Sequence, residues 1–269
     1  MAIAPEDLDP TEIGRPQGRL AVIGLGPGGP VWRTAEAERL LAEAEELVGY
    51  GLYLDLIGPA AAGKPRHEFP LGGEVDRCRK ALELAAEGRR VALVCSGDPG
   101  IYALATLVFE LLESATDPAW GRVAVTVSPG VSALQAAAAR VGAPLGHDFC
   151  AISLSDLLTP YAVIEQRVRA AAAGDFVIAL YNPVSARRRT ALLMARDVLL
   201  EHRGAATPTI LARNLGRPDE TLRLIELGEL HPDLCDMLTV VLVGSSTTRR
   251  MPRLHGEDWV YTPRGYEVG

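Results

Sequence analysis

Three glycines near the start of the chain have the spacing of a phosphate-binding turn. Gly24, Gly26 and Gly29 follow an apolar run in RLAVIGLGPGGP and satisfy the G-x-G-x-x-G pattern of dinucleotide-binding proteins. In that chemistry the third glycine opens a helix whose N-terminal amides bind the pyrophosphate, and an acidic residue after the second strand binds the ribose. The pattern alone therefore raises the hypothesis of a nicotinamide-dependent oxidoreductase.

The residues around these glycines argue against that hypothesis. Pro27 and Pro30 remove two amide donors from the turn, and the next helix is predicted to begin only near Thr34. The second predicted strand ends at Tyr50 and Gly51, where a dinucleotide-binding protein has an acidic residue. A close-packed turn with prolines is better suited to lining the floor of a cleft under a bulky, flat ligand.

The charge of the chain limits the partners it can attract. With 34 acidic and 27 basic side chains its formal net charge is −7, and long-range attraction to nucleic acid or to an anionic membrane needs a positive field. We predict a small-molecule substrate, with neither nucleic acid nor membrane as a partner. Local pockets for a small polyanion can still come from the basic clusters at residues 186–190, 212–217 and 247–253.

The first half of the chain alternates short apolar runs with helix-length stretches. The runs are apolar almost throughout, which is typical of parallel strands buried on both faces. Thr34 is the expected N-cap of the first helix and Gly88 the expected stop of the second. The predicted strands are 20–24, 46–50, 90–95 and 122–127, and the predicted helices are 34–45, 74–88 and 101–114.

The second half differs in pattern, and a Ser-Pro-Gly sequence at residues 128–130 marks the predicted boundary. Residues 220–227 alternate polar and apolar side chains, as an antiparallel strand with one exposed face does, so we expect a mixed sheet. The predicted strands are 149–155, 176–181, 208–213, 220–227 and 238–244, and the predicted helices are 160–173 and 185–202. The domains are therefore predicted as a flexible tail (1–18), an N-terminal α/β domain (19–127) and a C-terminal α/β domain (128–262).

Cysteine and histidine usage predicts neither disulfides nor a metal site. Cys78, Cys95, Cys150 and Cys235 are widely spaced without a Cys-x-x-Cys pair, and the five histidines are scattered. The first 18 residues are acidic and proline-containing and show no export signal, so we expect a solvated tail and a cytoplasmic protein.

Three further turns follow predicted strands and contain residues suited to ligand contact. They read SGDPGIY (96–102), SPGVSA (128–133) and YNPVS (181–185). Because ligands of open parallel sheets bind at the carboxyl ends of the strands, we expect these turns and the first glycine-rich turn to form one ligand-binding edge.

Four motifs in this order and spacing resemble the tetrapyrrole methylases that use S-adenosylmethionine. They are VIGLGPGG, SGDPGIYALA, SPGVSALQAAAARVGAPLGHDF and ALYNPVS, and the resemblance covers about residues 19 to 261. Residues 48–57, 153–189 and 210–220 are further similar to the family members that methylate carbon 17 of precorrin-3B in cobalamin synthesis. The chain differs from them at Tyr161, where we expect Trp, and at Gly72 and Gly73, where we expect a basic, bulkier pair.

The resemblance implies the tetrapyrrole methylase fold: a parallel-sheet N-terminal α/β domain and a mixed-sheet C-terminal α/β domain with a cleft between them, assembled as a homodimer. It implies S-adenosylmethionine as methyl donor, held between the domains mainly by backbone groups. It also implies methylation of carbon 17 of precorrin-3B with ring contraction to precorrin-4. The implied cofactor contacts are Pro27, Gly97, Asp98, Ile101, Ser132, Ala133, Asn182 and Leu215.

The implied reaction places few demands on the protein's own nucleophiles. Methyl transfer from a sulfonium is an in-line displacement, so proximity and alignment can supply most of the effect. Ring contraction adds proton transfers, for which Asp98, Tyr181, Asp156 and Lys64 are weak candidates because they lie near predicted strand-end loops. The arginines expected to bind substrate carboxylates are Arg187, Arg188 and Arg213.

Other functions stay open at this point. The cobalt-containing counterpart of the same substrate, another tetrapyrrole or another methyl acceptor would suit the same family. A nicotinamide oxidoreductase and a binding module without turnover are alternatives of other classes. Titration with S-adenosylmethionine and NAD separates the oxidoreductase, and labelled methyl transfer separates the binding module.

Overall fold

The computed structural model describes residues 18–185 and 188–267. The chain divides into two compact units, Met1–Ser132 and Ala133–Gly269, a few residues after the domain boundary predicted before Ser128. The predicted tail lies outside the described residues except for Gly18. No helix in the described ranges is long and apolar enough to cross a membrane.

The first unit is built on a five-stranded sheet in which every strand pair is parallel. The strand order is β3-β2-β4-β1-β5. Its strands are β1 (Arg19–Gly24), β2 (Glu46–Tyr50), β3 (Arg66–Phe69), β4 (Arg90–Cys95) and β5 (Ala124–Ser128), and its helices are α1 (Ala35–Glu43), α2 (Gly51–Ile57), α3 (Glu74–Ala86) and α4 (Leu104–Glu113). The predicted parallel sheet is confirmed.

Helices cover both faces of this sheet, which explains why its central strands are apolar throughout. Leu20 and Val22 of β1 pack into a core with α3 and α4, while Ala21 and Ile23 pack into a second core with α1 and α2. Successive side chains of a strand point to opposite faces, so one strand supplies both cores. Burial on two faces requires the near-continuous apolar run that the sequence shows.

The second unit contains a mixed sheet, as the alternating pattern of residues 220–227 predicted. Its strand order is β10-β9-β11-β8-β7; β7 and β8 are parallel, and the other pairs are antiparallel. These strands are β7 (Phe149–Ser153), β8 (Val177–Tyr181), β9 (Pro208–Arg213), β10 (Thr221–Glu226) and β11 (Thr239–Val243), and the helices are α5 (Ala133–Val141), α6 (Tyr161–Ala173) and α7 (Thr190–Leu200). A small separate sheet joins β6 (Gly142–Ala143), β12 (Arg249–Met251) and β13 (Trp259–Tyr261).

Two helices begin later than predicted. Helix α4 begins at Leu104 instead of residue 101, because a turn precedes it in which Tyr102 has a left-handed φ of 52°. Helix α7 begins at Thr190 instead of residue 185, because Ser185 and Arg188 exchange backbone hydrogen bonds in a turn. Residues 101–103 belong to the loop after β4, and Ser185, Arg188 and Arg189 belong to the loop after β8.

Candidate functional site

The glycine-rich turn after β1 does not lead directly into an α-helix. Gly29 precedes a single 3-10 turn, Pro30–Trp32, and α1 follows only after Thr34. The Thr34 hydroxyl accepts a hydrogen bond from the Ala37 amide at 3.0 Å, which confirms it as the N-cap. A pyrophosphate site uses the first amides of an α-helix that begins at the third glycine, whereas here Pro30 follows that glycine and α1 begins only at Ala35.

The turns after β1 and β4 are joined by direct backbone contact. The Gly26 amide donates to the Gly97 oxygen at 3.2 Å, and the Gly97 amide donates to the Gly26 oxygen at 2.8 Å. Both glycines have left-handed φ angles, 71° at Gly26 and 69° at Gly97. Such angles cost little only for glycine, so the sequence requirement at these positions is conformational.

The turn after β5 packs equally closely against the other two. A Cβ at Gly24 would lie 2.5 Å from the Gly97 oxygen and 2.8 Å from the Gly130 nitrogen, and a Cβ at Gly130 would overlap the Gly97 oxygen. Backbone of three turns therefore fills the space that side chains occupy elsewhere. By contrast, a Cβ at Gly97 would have no atom within 4 Å, so this turn presents its backbone to open space.

Asp98 holds two of these turns together with both of its carboxylate oxygens. Its Oδ1 accepts from the Gly100 amide at 2.8 Å, which forms an Asx turn. Its Oδ2 accepts from the Gly130 amide at 3.1 Å, 32 residues away in the chain. The carboxylate is thus a structural acceptor for both loops, and any proton transfer by Asp98 would compete with these bonds.

In the second unit the corresponding strand ends are connected by side chains. The Asn182 amide, at a left-handed φ of 50°, donates to the Ser153 hydroxyl at 3.0 Å. The backbone oxygen of Tyr181 accepts from the Leu154 amide at 2.9 Å, and its hydroxyl accepts from the Leu134 amide at 3.1 Å. These bonds join the ends of β7 and β8 to the first turn of α5.

The loop after β9 is shaped by a second pair of left-handed residues. Asn214 and Gly216 have φ angles of 53° and 71°, and Leu215 between them is 5 % exposed. The Gly216 amide donates to Glu220, which also pairs with Arg140 at 2.7 Å. Burial raises the pKa of Glu220, but the hydrogen bonds from Arg140 and Gly216 outweigh it, so the net pKa is lowered.

The arginines expected to bind substrate are placed differently from one another. Arg213 pairs with Asp236 at 2.6 Å, and the hydrogen bond to Asp236 raises the Arg213 pKa. Arg188 lies 3.6 Å from Asp156 and is 17 % exposed, and its buried Nη1 has no hydrogen-bond partner in the part of the chain that the structure describes. Arg187 lies outside the described residues. Of the two described, Arg188 has more donor capacity left for a ligand.

The placement predicted for Lys64 is wrong. This residue precedes β3 and lies at the amino edge of the parallel sheet, opposite to the strand-end turns. Its ammonium group donates to the backbone oxygens of Leu41, Ala42 and Ala44 at 2.6, 2.8 and 2.7 Å, at the end of α1. All three protons of the ammonium are donated in these hydrogen bonds, so Lys64 caps the C-terminal end of α1 and is not a candidate for proton transfer.

The structure thus brings two groups of predicted residues together, one in each unit. In the first unit Pro27, Gly97, Asp98 and Ile101 lie in turns at the carboxyl edge of the sheet. In the second, Asn182 and Tyr181 lie at the end of β8, hydrogen-bonded to neighbouring segments. Ser153, Gly24 and Gly130 were missed as site residues, although Gly24 and Gly130 stood in the quoted motifs.

Comparison with known proteins identifies the family. Residues 19–231 match the family model described as Tetrapyrrole (Corrin/Porphyrin) Methylases. The chain belongs to the tetrapyrrole methylase family. A crystal structure of the methyltransferase CobJ is similar with a TM-score of 0.84 and 44% identity, covering 91% of this chain and 100% of that one. The predicted family and fold class are confirmed.

Two curated relatives show how this tetrapyrrole methylase compares in length. It is 45% identical over 250 residues to the precorrin-3B C(17)-methyltransferase of Sinorhizobium sp, covering 93% of this chain and 97% of the relative. It is also 45% identical over 253 residues to the cobalamin biosynthesis protein CobIJ of Mycobacterium tuberculosis, covering 93% of this chain but 48% of CobIJ. The chain therefore spans about half the length of CobIJ and nearly all of the Sinorhizobium enzyme.

Proposed function

We propose that this tetrapyrrole methylase transfers a methyl group from S-adenosylmethionine to carbon 17 of precorrin-3B, with ring contraction to precorrin-4, in cobalamin synthesis. The observation that carries the proposal is the 45% identity to the Sinorhizobium enzyme over almost the full length of both chains. The similarity to CobJ over the whole of that structure supports it.

The strand-end turns of the first unit fit an adenosyl sulfonium better than a dinucleotide. The turn at Gly97 presents backbone to open space, and the turn after β1 lacks the helix amides that a pyrophosphate needs. Bound S-adenosylmethionine would supply a methyl group on a sulfonium, from which the neutral thioether of S-adenosylhomocysteine is a good leaving group. We assign cofactor contacts to Pro27, Gly97, Asp98, Ile101 and Ser132 in the first unit and to Ala133, Asn182 and Leu215 in the second.

The residues of the protein act mainly by holding the ligands in line. In-line displacement at the methyl group needs alignment more than a protein nucleophile, and rigid backbone turns provide alignment at low entropic cost. For the proton transfers of ring contraction, Asp98, Tyr181 and Asp156 stay predictions. Asp98 and Tyr181 already accept hydrogen bonds from amides of the protein, so a role in orienting loops fits them better.

We propose Arg188 and Arg213, with Arg187, as the groups that bind substrate carboxylates. A guanidinium binds a carboxylate through two parallel hydrogen bonds, and the Nη1 of Arg188, which bonds to none of the described residues, could donate one of them to the substrate. Replacing Arg188 and Arg213 by Ala should raise the KM for the tetrapyrrole at least tenfold more than that for S-adenosylmethionine. Equal effects on both constants would contradict this assignment.

We further propose that the protein acts in the cytoplasm as a homodimer. The four free, widely spaced cysteines fit a reducing compartment and support the first point, and the resemblance to the family supports the second. Light scattering after size exclusion measures the second directly: the mass of two chains is expected, and the mass of one chain would contradict it.

The decisive experiment is methyl transfer by the purified protein. Labelled S-adenosylmethionine is supplied with precorrin-3B or with its cobalt-containing counterpart, and the product is analysed by mass spectrometry and NMR. We expect a single labelled methyl at carbon 17 and a contracted ring from precorrin-3B. A product only from the cobalt-containing substrate would show that the enzyme methylates that counterpart and not precorrin-3B. Methyl transfer to neither substrate would refute the proposal.

A further inference from the structure

Arg77 is a buried cation with few partners. It lies in the first turn of α3, and its side chain is 3% exposed. Its Nη2 donates to the Pro70 oxygen at 3.2 Å, and the buried Nε has no hydrogen-bond partner among residues 18–185 and 188–267. A guanidinium has five N–H donors, and the one on the Nε of Arg77 is buried and unused by the described residues.

The carboxylate nearest to Arg77 compensates its charge poorly. Glu74 Oε1 lies 3.7 Å from Arg77 Nη2, which is too long for a hydrogen bond. The same oxygen accepts from the Gly72 amide at 3.2 Å, and the Glu74 side chain is 45% exposed to solvent. A buried charge that lacks a well-aligned partner is unfavourable, so an additional anion would stabilise this arrangement.

The position of Arg77 connects it with the candidate site of the first unit. Helix α3 follows β3 and begins at the carboxyl edge of the parallel sheet, the edge that carries the turn at Gly97. The charge of Arg77 also acts on two buried thiols, Cys78 beside it and Cys95 at the end of β4. Burial raises the pKa of each thiol to about 12, and Arg77 opposes that increase.

The beginning of α3 adds a second positive contribution. Its N-cap is Gly73, which has no side chain to accept a hydrogen bond from the first-turn amides. Uncapped amides at a helix N-terminus favour an anion, although Glu74 and Asp76 in the first turn offset part of this effect. The buried Nε of Arg77 is independent evidence that the described residues supply too few acceptors for this guanidinium.

We propose that Arg77 binds a carboxylate group of a ligand at the carboxyl edge of the first unit. The inference rests on the proposed function, since S-adenosylmethionine carries a carboxylate on its methionine part and the tetrapyrrole carries several. The proposed cation, Arg77 of α3, contacts Pro70 at the start of the segment 70–73. In this segment Gly72 and Gly73 stand where the resemblance to the family predicts a basic pair.

The test compares Arg77→Met and Arg77→Lys with wild type. Arg33→Met is the matched control, because Arg33 is also 3% exposed and its buried Nε also lacks a well-aligned hydrogen bond within the described residues. Unlike Arg77, however, Arg33 has a carboxylate, Glu38, 2.9 Å from its Nε, and its Nη1 donates to the Ile57 oxygen. Calorimetry measures the Kd for S-adenosylmethionine and for its decarboxylated form, and steady-state kinetics measure the KM for precorrin-3B. Thermal unfolding without ligand measures whether each variant is folded.

A carboxylate bound to Arg77 predicts a loss that depends on the carboxylate. If it belongs to the cofactor, Arg77→Met weakens S-adenosylmethionine about 10- to 100-fold and leaves the decarboxylated form unchanged. If it belongs to the tetrapyrrole, the KM for precorrin-3B rises by a similar factor instead. Arg77→Lys restores only part of the loss, because an ammonium cannot bind bidentately.

A structural role of Arg77 predicts a different set of results. Unchanged affinities for all three ligands, with a lower unfolding temperature for Arg77→Met, would overturn the inference. Equal weakening of S-adenosylmethionine and its decarboxylated form, with an unchanged KM for precorrin-3B, would overturn it as well. Failure of the wild-type protein to bind S-adenosylmethionine would instead refute the proposed function, so the two failures are distinguishable.

Discussion

The two units of this protein position their strand-end loops by different means. In the first unit the turns after β1, β4 and β5 are in backbone contact, with glycines at the closest points and one carboxylate, Asp98, between two of them. In the second unit the loops are joined through side chains, such as the hydroxyl of Tyr181 and the amide of Asn182. Backbone packing cannot adjust to an added methyl group, whereas side-chain hydrogen bonds can be removed one at a time.

The largest effect is expected from Gly130→Ala. The new Cβ would overlap the Gly97 oxygen and lie 2.9 Å from backbone atoms of Gly24, so the three turns must separate. We expect a loss of about 3 kcal/mol in the free energy of unfolding and loss of cofactor binding. Denaturant unfolding and calorimetry measure both.

Gly29→Ala is the control for this substitution. Gly29 lies in the neighbouring glycine-rich turn after β1, but a Cβ there meets no atom within 4 Å, and its φ of −74° suits any residue. Its effect should stay within about 0.5 kcal/mol. Similar effects of the two substitutions would show that close backbone packing is not what holds the first unit's turns.

Asp98→Ala tests the carboxylate that joins the turns after β4 and β5. Two amides, those of Gly100 and Gly130, lose their acceptor, so we expect a loss of about 1–3 kcal/mol in stability and weaker binding of S-adenosylmethionine. A variant with wild-type stability and cofactor affinity but a greatly reduced kcat would contradict the orienting role and indicate proton transfer by Asp98.

Tyr181→Phe removes one hydroxyl from the second unit and leaves the ring in place. The Leu134 amide at the start of α5 loses this acceptor, at a cost of about 1 kcal/mol. Because Ala133 and Asn182 are assigned cofactor contacts, the KM for S-adenosylmethionine should rise a few-fold with kcat nearly unchanged. A fall in kcat of a hundredfold or more, with an altered pH profile, would instead make Tyr181 the acid or base.

The smallest effect is expected from acid titration of the second unit. Burial raises the pKa of Asp236, but hydrogen bonds from Arg213, Thr239 and the Leu238 amide outweigh it, so the folded pKa lies below the usual 3.8. The stabilisation is therefore present above that value and is lost as the pH falls through the folded pKa. Since the pair is partly exposed, the contribution is below about 1 kcal/mol.

Arg213→Gln should remove most of this pH dependence. In wild type the slope of stability against pH near and below 3.8 includes the Asp236 contribution, and the variant should show a smaller slope there with little change at neutral pH. Identical acid unfolding curves for the two proteins would show that the Arg213–Asp236 pair does not stabilise the loop after β9.

Two elements that the sequence did not reveal, β3 and α2, were missed for different physical reasons. Strand β3 is a short edge strand, RHEF, with exposed and half-buried residues, so it has no apolar run to mark it. Helix α2 follows β2 without a connecting loop and begins at Gly51, which is a poor helix former. The central strands were predictable because burial on both faces leaves a continuous apolar pattern.

The sequence allowed us to predict which turns form the candidate site, but not which hydrogen bonds join these turns to other segments. Glycines, prolines and Asp98 mark the turns in the sequence, because those residue types have definite turn conformations. The bond from the Gly130 amide to Asp98 and that from the Leu134 amide to Tyr181 join residues 32 and 47 apart, which no local pattern encodes. Lys64 failed for a related reason: proximity to a strand in sequence does not say at which edge of the sheet a residue lies.

The central claim is that the proline-containing turn after β1 and its neighbours receive an adenosyl sulfonium compound and not a dinucleotide. Isothermal titration of the wild-type protein with S-adenosylhomocysteine and, separately, with NAD tests this claim most directly. We predict saturable binding of S-adenosylhomocysteine at one site per chain, lost in Gly130→Ala, and no heat of binding from NAD. Saturable binding of NAD with none of S-adenosylhomocysteine would contradict the account.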